Sequence, residues 1–250
     1  MGTEYAGYKL IYDYHTHTVF SHGKGSIEEN VKAAREAGLK GIGISDHGPG
    51  HLTYGMKRKD VPAMRKEIER LSALYPDIDI WLSVEANIIN SGNYLDVRKD
   101  EFKDYDYVIA GYHYGIKDGY CVQNFVNGHA PGKLFGKSLL AKNTEMTLGA
   151  LYENKIKILT HPGDKGPFDM DAIAKACAER GTLMEISTWH KHLTLDEIKI
   201  AAKYDVQFVV SSDAHTPGRV GDVSEGIKRA CEARLDLSRI VNISKIERQL

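Results

Sequence analysis

The stretch Tyr12-Asp13-Tyr14-His15-Thr16-His17-Thr18 follows the apolar pair Leu10-Ile11, and its reading decides the fold. As a strand, its side-chain period of two turns both imidazoles to one face, where a single ion can take both nitrogens. The same kind of arrival recurs down the chain. His22, Ser45-Asp46-His47, Val84-Glu85, Tyr112-His113, Thr160-His161-Pro162 and Ser212-Asp213-Ala214-His215 each stand just after an apolar, β-branched run. Ligand-type side chains therefore collect at strand ends.

Working outward, short apolar strands alternate with helical patterns, the signature of βα units around a parallel sheet or barrel. Ser26 and Glu29 form a capping-box pattern, Val31, Ala34 and Ala37 recur at helical spacing, and Gly38 supplies the stop. Strands are predicted over 41–45, 78–84, 107–111, 155–159, 182–186 and 206–210. Helices are predicted over 61–75, 135–154 and 170–180, with another opened by the Thr194/Glu197 pair. Residues 114–134, rich in Gly, Asn and Tyr and without a period, read as a long loop over the strand ends. Beyond Asp222 the pattern predicts a helix, a short extended piece and a terminal helix. Seven βα units fit one closed or nearly closed barrel, whose chemistry belongs at the carboxyl ends of its strands.

Composition excludes more than it proposes. A chain of 250 residues with net charge −1 shows no basic nucleic-acid face. Cys121, Cys177 and Cys231 lack Cys-x-x-Cys spacing, which argues against a disulfide framework or a thiolate zinc site. No apolar run approaches the roughly 18 residues of a membrane helix, and no signal-peptide core opens the chain. A cytoplasmic location with no membrane partner is expected.

Singly, His47 or His113 reads as a core histidine, Glu85 as a surface charge and His161 as a turn residue. Jointly that reading fails. Seven histidines, one glutamate and one aspartate converging on one barrel mouth destabilise one another without a cation. Imidazole and carboxylate donors suit zinc, manganese or iron and do not choose among them.

The ordered set His15-Thr16-His17 with His22, Ser45-Asp46-His47-Gly48-Pro49, Val84-Glu85-Ala86-Asn87, Ala110-Gly111-Tyr112-His113, His161-Pro162-Gly163 and Ser212-Asp213-Ala214-His215 resembles the polymerase and histidinol phosphatase (PHP) superfamily. The resemblance spans roughly residues 10–245 and looks nearest to stand-alone bacterial phosphatases of the YcdX type. It implies a single PHP domain over 1–250, a distorted (β/α)7 TIM-like barrel, and three divalent transition-metal ions. By that analogy His15, His17, Glu85 and Asp213 bind the first ion, and Glu85, His113 and His161 the second. His22, His47 and His215 hold the third.

The chemistry expected of such a site is hydrolysis of a phosphomonoester of a small phosphorylated metabolite by a metal-activated hydroxide, with Glu85, Asp213 and His215 as the catalytic side chains. Arg219 and Lys24 are candidates to grip phosphate. Asp13 and Asp46 stand near ligands as candidates to orient an imidazole, with backbone or helix-end bonding at least as much to be expected of them. Trp189 and Tyr54 suggest an aromatic wall, and His51, His129, His190 and His192 fall outside the pattern. Competing readings are histidinol phosphatase proper, a PHP phosphodiesterase or nuclease, and an amidohydrolase-type C–N hydrolase, whose barrels also open with His-x-His. The last usually places a carbamylated lysine where this chain has His113, and gives His22 and His47 no place.

Overall fold

Short, almost wholly buried strands are what a sheet covered on both faces requires, and the computed structural model, which describes residues 2–129 and 135–246, is built on them. In chain order the elements are β1 (Glu4–Tyr5), β2 (Tyr8–Leu10), β3 (Tyr12–Thr16), α1 (Ile27–Glu36), β4 (Gly41–Ile44), α2 (Val61–Leu74), β5 (Asp79–Asn87), β6 (Tyr107–Gly111) and α3 (Cys121–His129). There follow α4 (Gly136–Glu153), β7 (Ile158–Leu159), α5 (Met170–Arg180), β8 (Leu183–Ser187), α6 (Leu195–Ala201), β9 (Phe208–Ser211), α7 (Ser224–Glu232) and β10 (Ile243–Lys245).

Strands β3 to β9 pair in sequence order, every neighbour parallel, as seven successive βα units demand. The two edges meet without a full ladder. Thr16 makes one parallel bridge to Ala214, and His17 N donates to Ala214 O at 2.8 Å. The Asp13 carboxylate adds to this seam, accepting from Ser212 N at 3.2 Å and Gly221 N at 2.9 Å. This is the backbone bonding expected for Asp13, and it makes the barrel closed but distorted.

The predicted helix signals are physically present. Ser26 and Glu29 cap each other reciprocally, with Glu29 N donating to Ser26 Oγ and Ser26 N to Glu29 Oε2, and Thr194 and Glu197 repeat the arrangement. Val31 and Ala34 of α1 and Met64, Ile68 and Leu71 of α2 are buried against the sheet. At the other side of the sheet the lumen holds Ile109, Ile158 and Val209 with Tyr14, Tyr107 and Leu183. Two residues along the same strands stand Gly111, Thr160, Glu185 and Ser211, so the period of two turns an apolar floor into a polar layer toward the carboxyl ends.

Two expectations are corrected. The loop predicted over 114–134 contains helix α3. Its inward residues are Asn124 and Asn127 while Val122 and Phe125 face solvent, so no apolar period marks it. Residues 130–134 lie outside the described residues. Beyond α7 the predicted short extended piece is present as β10, which pairs antiparallel with β2 in a small β1-β2-β10 sheet at the amino ends of the barrel strands. The predicted terminal helix does not begin by Ile246, and 247–250 lie outside the described residues. Among the described residues no helix is long and apolar enough to cross a membrane.

Candidate metal centre

Glu85 ends the lumen-facing side of β5, wholly buried, and four imidazoles approach its two oxygens. His47 Nδ1 lies 2.9 Å and His15 Nε2 3.3 Å from Oε2, while His161 Nε2 lies 2.9 Å and His113 Nε2 3.3 Å from Oε1. Thr160 Oγ1 also donates to Oε1, at 2.7 Å. Gly111 leaves room for this: a Cβ there would come within 2.1 Å of Thr160 Oγ1.

His15 and His17 point together, as their spacing predicts, with their Nε2 atoms 3.0 Å apart. The strand that does this is irregular, since β3 shifts register against β4 between Asp13 and Thr16, and His17 lies just past its end. His17 Nε2 also reaches Asp213 Oδ1 at 3.0 Å and its ring stacks on those of His47 and His215. Donor atoms converge in four groups: His15-His17-Glu85, His47-Glu85-His113, His17-His47-His215 and His161-His190-Asp213.

Eight of the nine expected ligands fall in those groups, though grouped differently from the family analogy. His17 takes the place beside His47 and His215 that the analogy gives to His22. The exposed His22 ring lies 4.2 Å from the His215 ring and 4.8 Å from that of His47, and it belongs to none of the groups. Asp46 faces away, accepting from Thr18 N at 2.8 Å and from the Thr18 and Ser21 hydroxyls, which fixes the turn carrying His17 and His22.

Burial and mutual charge set the protonation of this cluster. Burial pushes His17 down to about 3 and holds His47 and His161 below the ordinary histidine value. Burial alone would raise Glu85, but the His113, His15 and His47 imidazoles hold it well below the usual carboxylate range. Asp213 is held low in the same way, chiefly by His15 and His17 against the cost of burial. His15 runs the other way: burial opposes its charged form, but Glu85, Asp213 and Glu185 hold it well above the ordinary histidine value. A divalent cation needs neutral imidazoles and ionised carboxylates, so His17, His47 and His161 already carry that state and an ion at His15 displaces a proton. Buried atoms lacking a hydrogen-bond partner among the described residues include His17 Nδ1, His47 Nδ1, Glu85 Oε2, His113 Nε2 and Asp213 Oδ1. Unpaired buried atoms are costly, and imidazole nitrogens and carboxylate oxygens left in this state are the donors that divalent ions take. His161 and Asp213 also hold left-handed backbone, φ +28° and +49°, a strain tolerated where a site is overdetermined.

The supporting roles of three residues went unread in the sequence. Glu185, buried in β8, holds His15 Nδ1 at 2.8 Å through Oε1 and accepts from His161 N at 2.8 Å through Oε2. Asn87 Oδ1 meets His113 Nδ1 at 2.8 Å, and its own amide donates to Asp96. His190 sits between Asp164 and Asp213; burial opposes its charged form, yet the two carboxylates raise it to about 9. The alternation of β8 could have singled out Glu185, a lone carboxylate two residues beyond Leu183 on the lumen face. His190, three residues past its strand, carries no such signal.

Of the proposed phosphate contacts, Lys24 is exposed, with its backbone N bonded to His215 O. The Arg219 guanidinium stacks 4.9 Å over Trp189, which in turn lies 5.5 Å from the His215 ring at 28°. Tyr54 packs on His51 and His22 at the other side of the site. A cavity of about 600 Å³ adjoins the centre, lined in part by Tyr114, Asn124, Asp164, Lys165, His192 and Glu197.

The PHP domain family model matches residues 13–188, about seven tenths of the chain and most of the strands that build this centre. The chain belongs to the PHP domain family. A probable phosphatase of Shewanella halifaxensis is 26% identical over 94% of this PHP chain and 90% of its own length. Another, from Clostridium acetobutylicum, is 29% identical over 86% and 82%. Among solved structures, histidinol phosphate phosphatase from Lactococcus lactis, complexed with zinc, L-histidinol and phosphate, superposes with a TM-score of 0.56 at 14% identity. That match covers 90% of this chain and 94% of the other, and it shows a shared fold.

Proposed function

We propose that this chain is a metal-dependent phosphatase that hydrolyses a phosphomonoester of a small metabolite. The observation that carries the reading is Glu85, with four imidazoles converging on its two carboxylate oxygens around buried atoms that lack partners. The related sequences named as probable phosphatases, and the Lactococcus fold relative with zinc and phosphate, support the same direction.

The ions are zinc, manganese or iron, held by His15, His17, His47, Glu85, His113, His161, Asp213 and His215, with His22 at the rim, and three is the number the full ligand set suits. When bound, such ions supply Lewis acidity toward phosphoryl oxygens and lower the pKa of coordinated water. The chain's own residues do the rest. Glu85 offers one oxygen to each of two neighbouring positions, and Glu185 and Asn87 fix the tautomer and orientation of His15 and His113. Arg219, stacked on Trp189 and paired with Asp222 at 3.4 Å, stands one aromatic ring away from His215 and is the candidate to meet the phosphoryl group. Lys24 offers a second cation at that rim. The cavity beside Asp164 is large enough for the leaving group of a small phosphomonoester.

Elemental analysis of freshly purified protein is expected to show close to three transition-metal ions per chain. Turnover of p-nitrophenyl phosphate is expected to exceed that of its bis ester and of amide substrates. One ion or none, or preferential cleavage of the diester or an amide, overturns the reading.

A further inference from the structure

The geometry points to Asp164 and His190 as a positioning pair that decides which oxygen of Asp213 is offered to an ion, an inference that rests on the metal site proposed above. His190 follows β8 across the Ser187 turn, where its backbone N donates to Ser187 Oγ at 3.1 Å and its carbonyl accepts from Arg229. The ring is thus anchored from its own backbone. Its Nδ1 lies 3.1 Å from Asp164 Oδ2 and its Nε2 3.2 Å from Asp213 Oδ2.

Asp213 has two oxygens in different surroundings. Oδ2 faces His190, whereas Oδ1 faces His17 at 3.0 Å and His15 at 3.6 Å and lacks a hydrogen-bond partner among the described residues. A carboxylate on left-handed backbone, φ +49°, has no strand ladder to fix its direction. A donor on Oδ2 stops the carboxylate turning and leaves Oδ1 toward the histidines, which is how outer partners orient ligating groups.

Asp164 belongs to none of the donor groups found among the described residues and acts through His190. It stands on the wall of the 600 Å³ cavity, and Lys165 Nζ shares its Oδ2 at 2.5 Å. The same imidazole also falls, with His161 and Asp213, in a cluster that could itself ligate. Positioning is favoured because, among the described residues, His190 makes no close approach to Glu85, the carboxylate around which His15, His17, His47, His113 and His161 gather.

The test is equilibrium zinc binding to the full chain after metal removal, comparing wild type with His190→Ala, His190→Gln, Asp164→Asn and the Asp164→Asn/His190→Ala double variant. Thermal unfolding of each metal-free protein checks that it folds. At saturating zinc every variant is expected to bind as many ions as wild type, with the weakest-held ion bound about 10- to 100-fold more weakly in His190→Ala. The Gln amide, which keeps a donor near Oδ2, is expected to restore part of that loss, and the double variant to be no worse than His190→Ala alone. Loss of one whole ion in His190→Ala makes His190 a ligand and overturns the inference, as do unchanged affinities or additive losses in the double variant. A wild type that binds no zinc overturns the metal site itself. Variants that fold but bind as wild type overturn only this pair.

Discussion

Glu85→Gln keeps the shape of the side chain and removes the charge on which His15, His47, His113 and His161 converge. Two opposed effects follow. Without its ion load the variant is relieved of a buried carboxylate, so its metal-free fold is expected to stay close to wild type in melting temperature. Its ions lose a shared anionic ligand, so turnover is expected to fall on the order of 10³-fold or more, since several kcal/mol of charge stabilisation depend on them. Elemental analysis beside a p-nitrophenyl phosphate assay separates the two, and wild-type turnover with full metal content would remove Glu85 from the centre. Glu185→Gln is milder. It retains a side chain that can accept from His161 N but weakens the charged partner of His15 Nδ1, so zinc affinity is expected to drop about 10- to 100-fold with stoichiometry intact. An unchanged affinity in competition with a chelator would leave Glu185 a merely structural charge. The residues proposed as ligands were legible in the sequence because most stand at or just past a strand's carboxyl end. Glu185 and His190 were not, because an orienting group needs no spacing of its own and shows only when the lumen is assembled.

At the scale of elements the same contrast separates α1 from α3. Helix α1 announces itself by Ser26, Glu29, Val31, Ala34 and the Gly38 stop, and it forms where those residues place it. Helix α3 turns Asn124 and Asn127 inward, so the interactions that hold it are hydrogen bonds and leave no apolar stripe to read. Asn143 of α4 donates to Asn124 Oδ1 at 2.8 Å and to Pro167 O at 2.9 Å, while Asn124 donates to Asn143 Oδ1 and Tyr112 Oη, each at 3.0 Å. These two amides tie α3, α4 and the segment after His161 into one wall of the cavity. Asn124→Ala strands the Asn143 amide, a loss of about 1–3 kcal/mol confined to that wall. Hydrogen exchange is therefore expected to accelerate in α3 with little change in β5, β6 or α1. Uniform acceleration across the barrel, or none in α3, would show that the asparagine pair does not hold the helix. The pattern gave β10 only as a short extended piece, and its partner was illegible for a related reason: the pairing with Lys9 and Leu10 lies more than 230 residues away along the chain.

For the molecule as a whole, the lumen passes from the apolar floor of Ile109, Ile158 and Val209 to a buried charged layer, and that layer ties stability to pH and metal. In metal-free protein His17 titrates at about 3, and His47 and His161 are also lowered, against roughly 6.5 in an unfolded chain. Between those values the unfolded state binds more protons, so this contribution to stability is present above about pH 6.5 and is lost as pH falls toward 3. His190, raised to about 9, has the opposite sign: its contribution is present below about pH 6.5 and is lost as pH rises through 9. The melting temperature of chelator-treated protein is therefore expected to peak near neutrality and to fall on both sides. His15, held well above the ordinary value by Glu85, Asp213 and Glu185 against the cost of burial, shares the sign of His190. The acid limb should be the steeper, since it carries His17, His47 and His161 together with the lowered Glu85 and Asp213 carboxylates against those two imidazoles. Adding zinc at about 100 times its dissociation constant is expected to raise stability at pH 7 by about 2.7 kcal/mol per ion. That gain should vanish toward pH 4, where protons compete for the same nitrogens. A melting temperature that stays flat from pH 4 to 7 without metal, or a zinc effect as large at pH 4 as at pH 7, would mean that the imidazoles at the barrel mouth are neither buried neutral nor the groups that bind the ions.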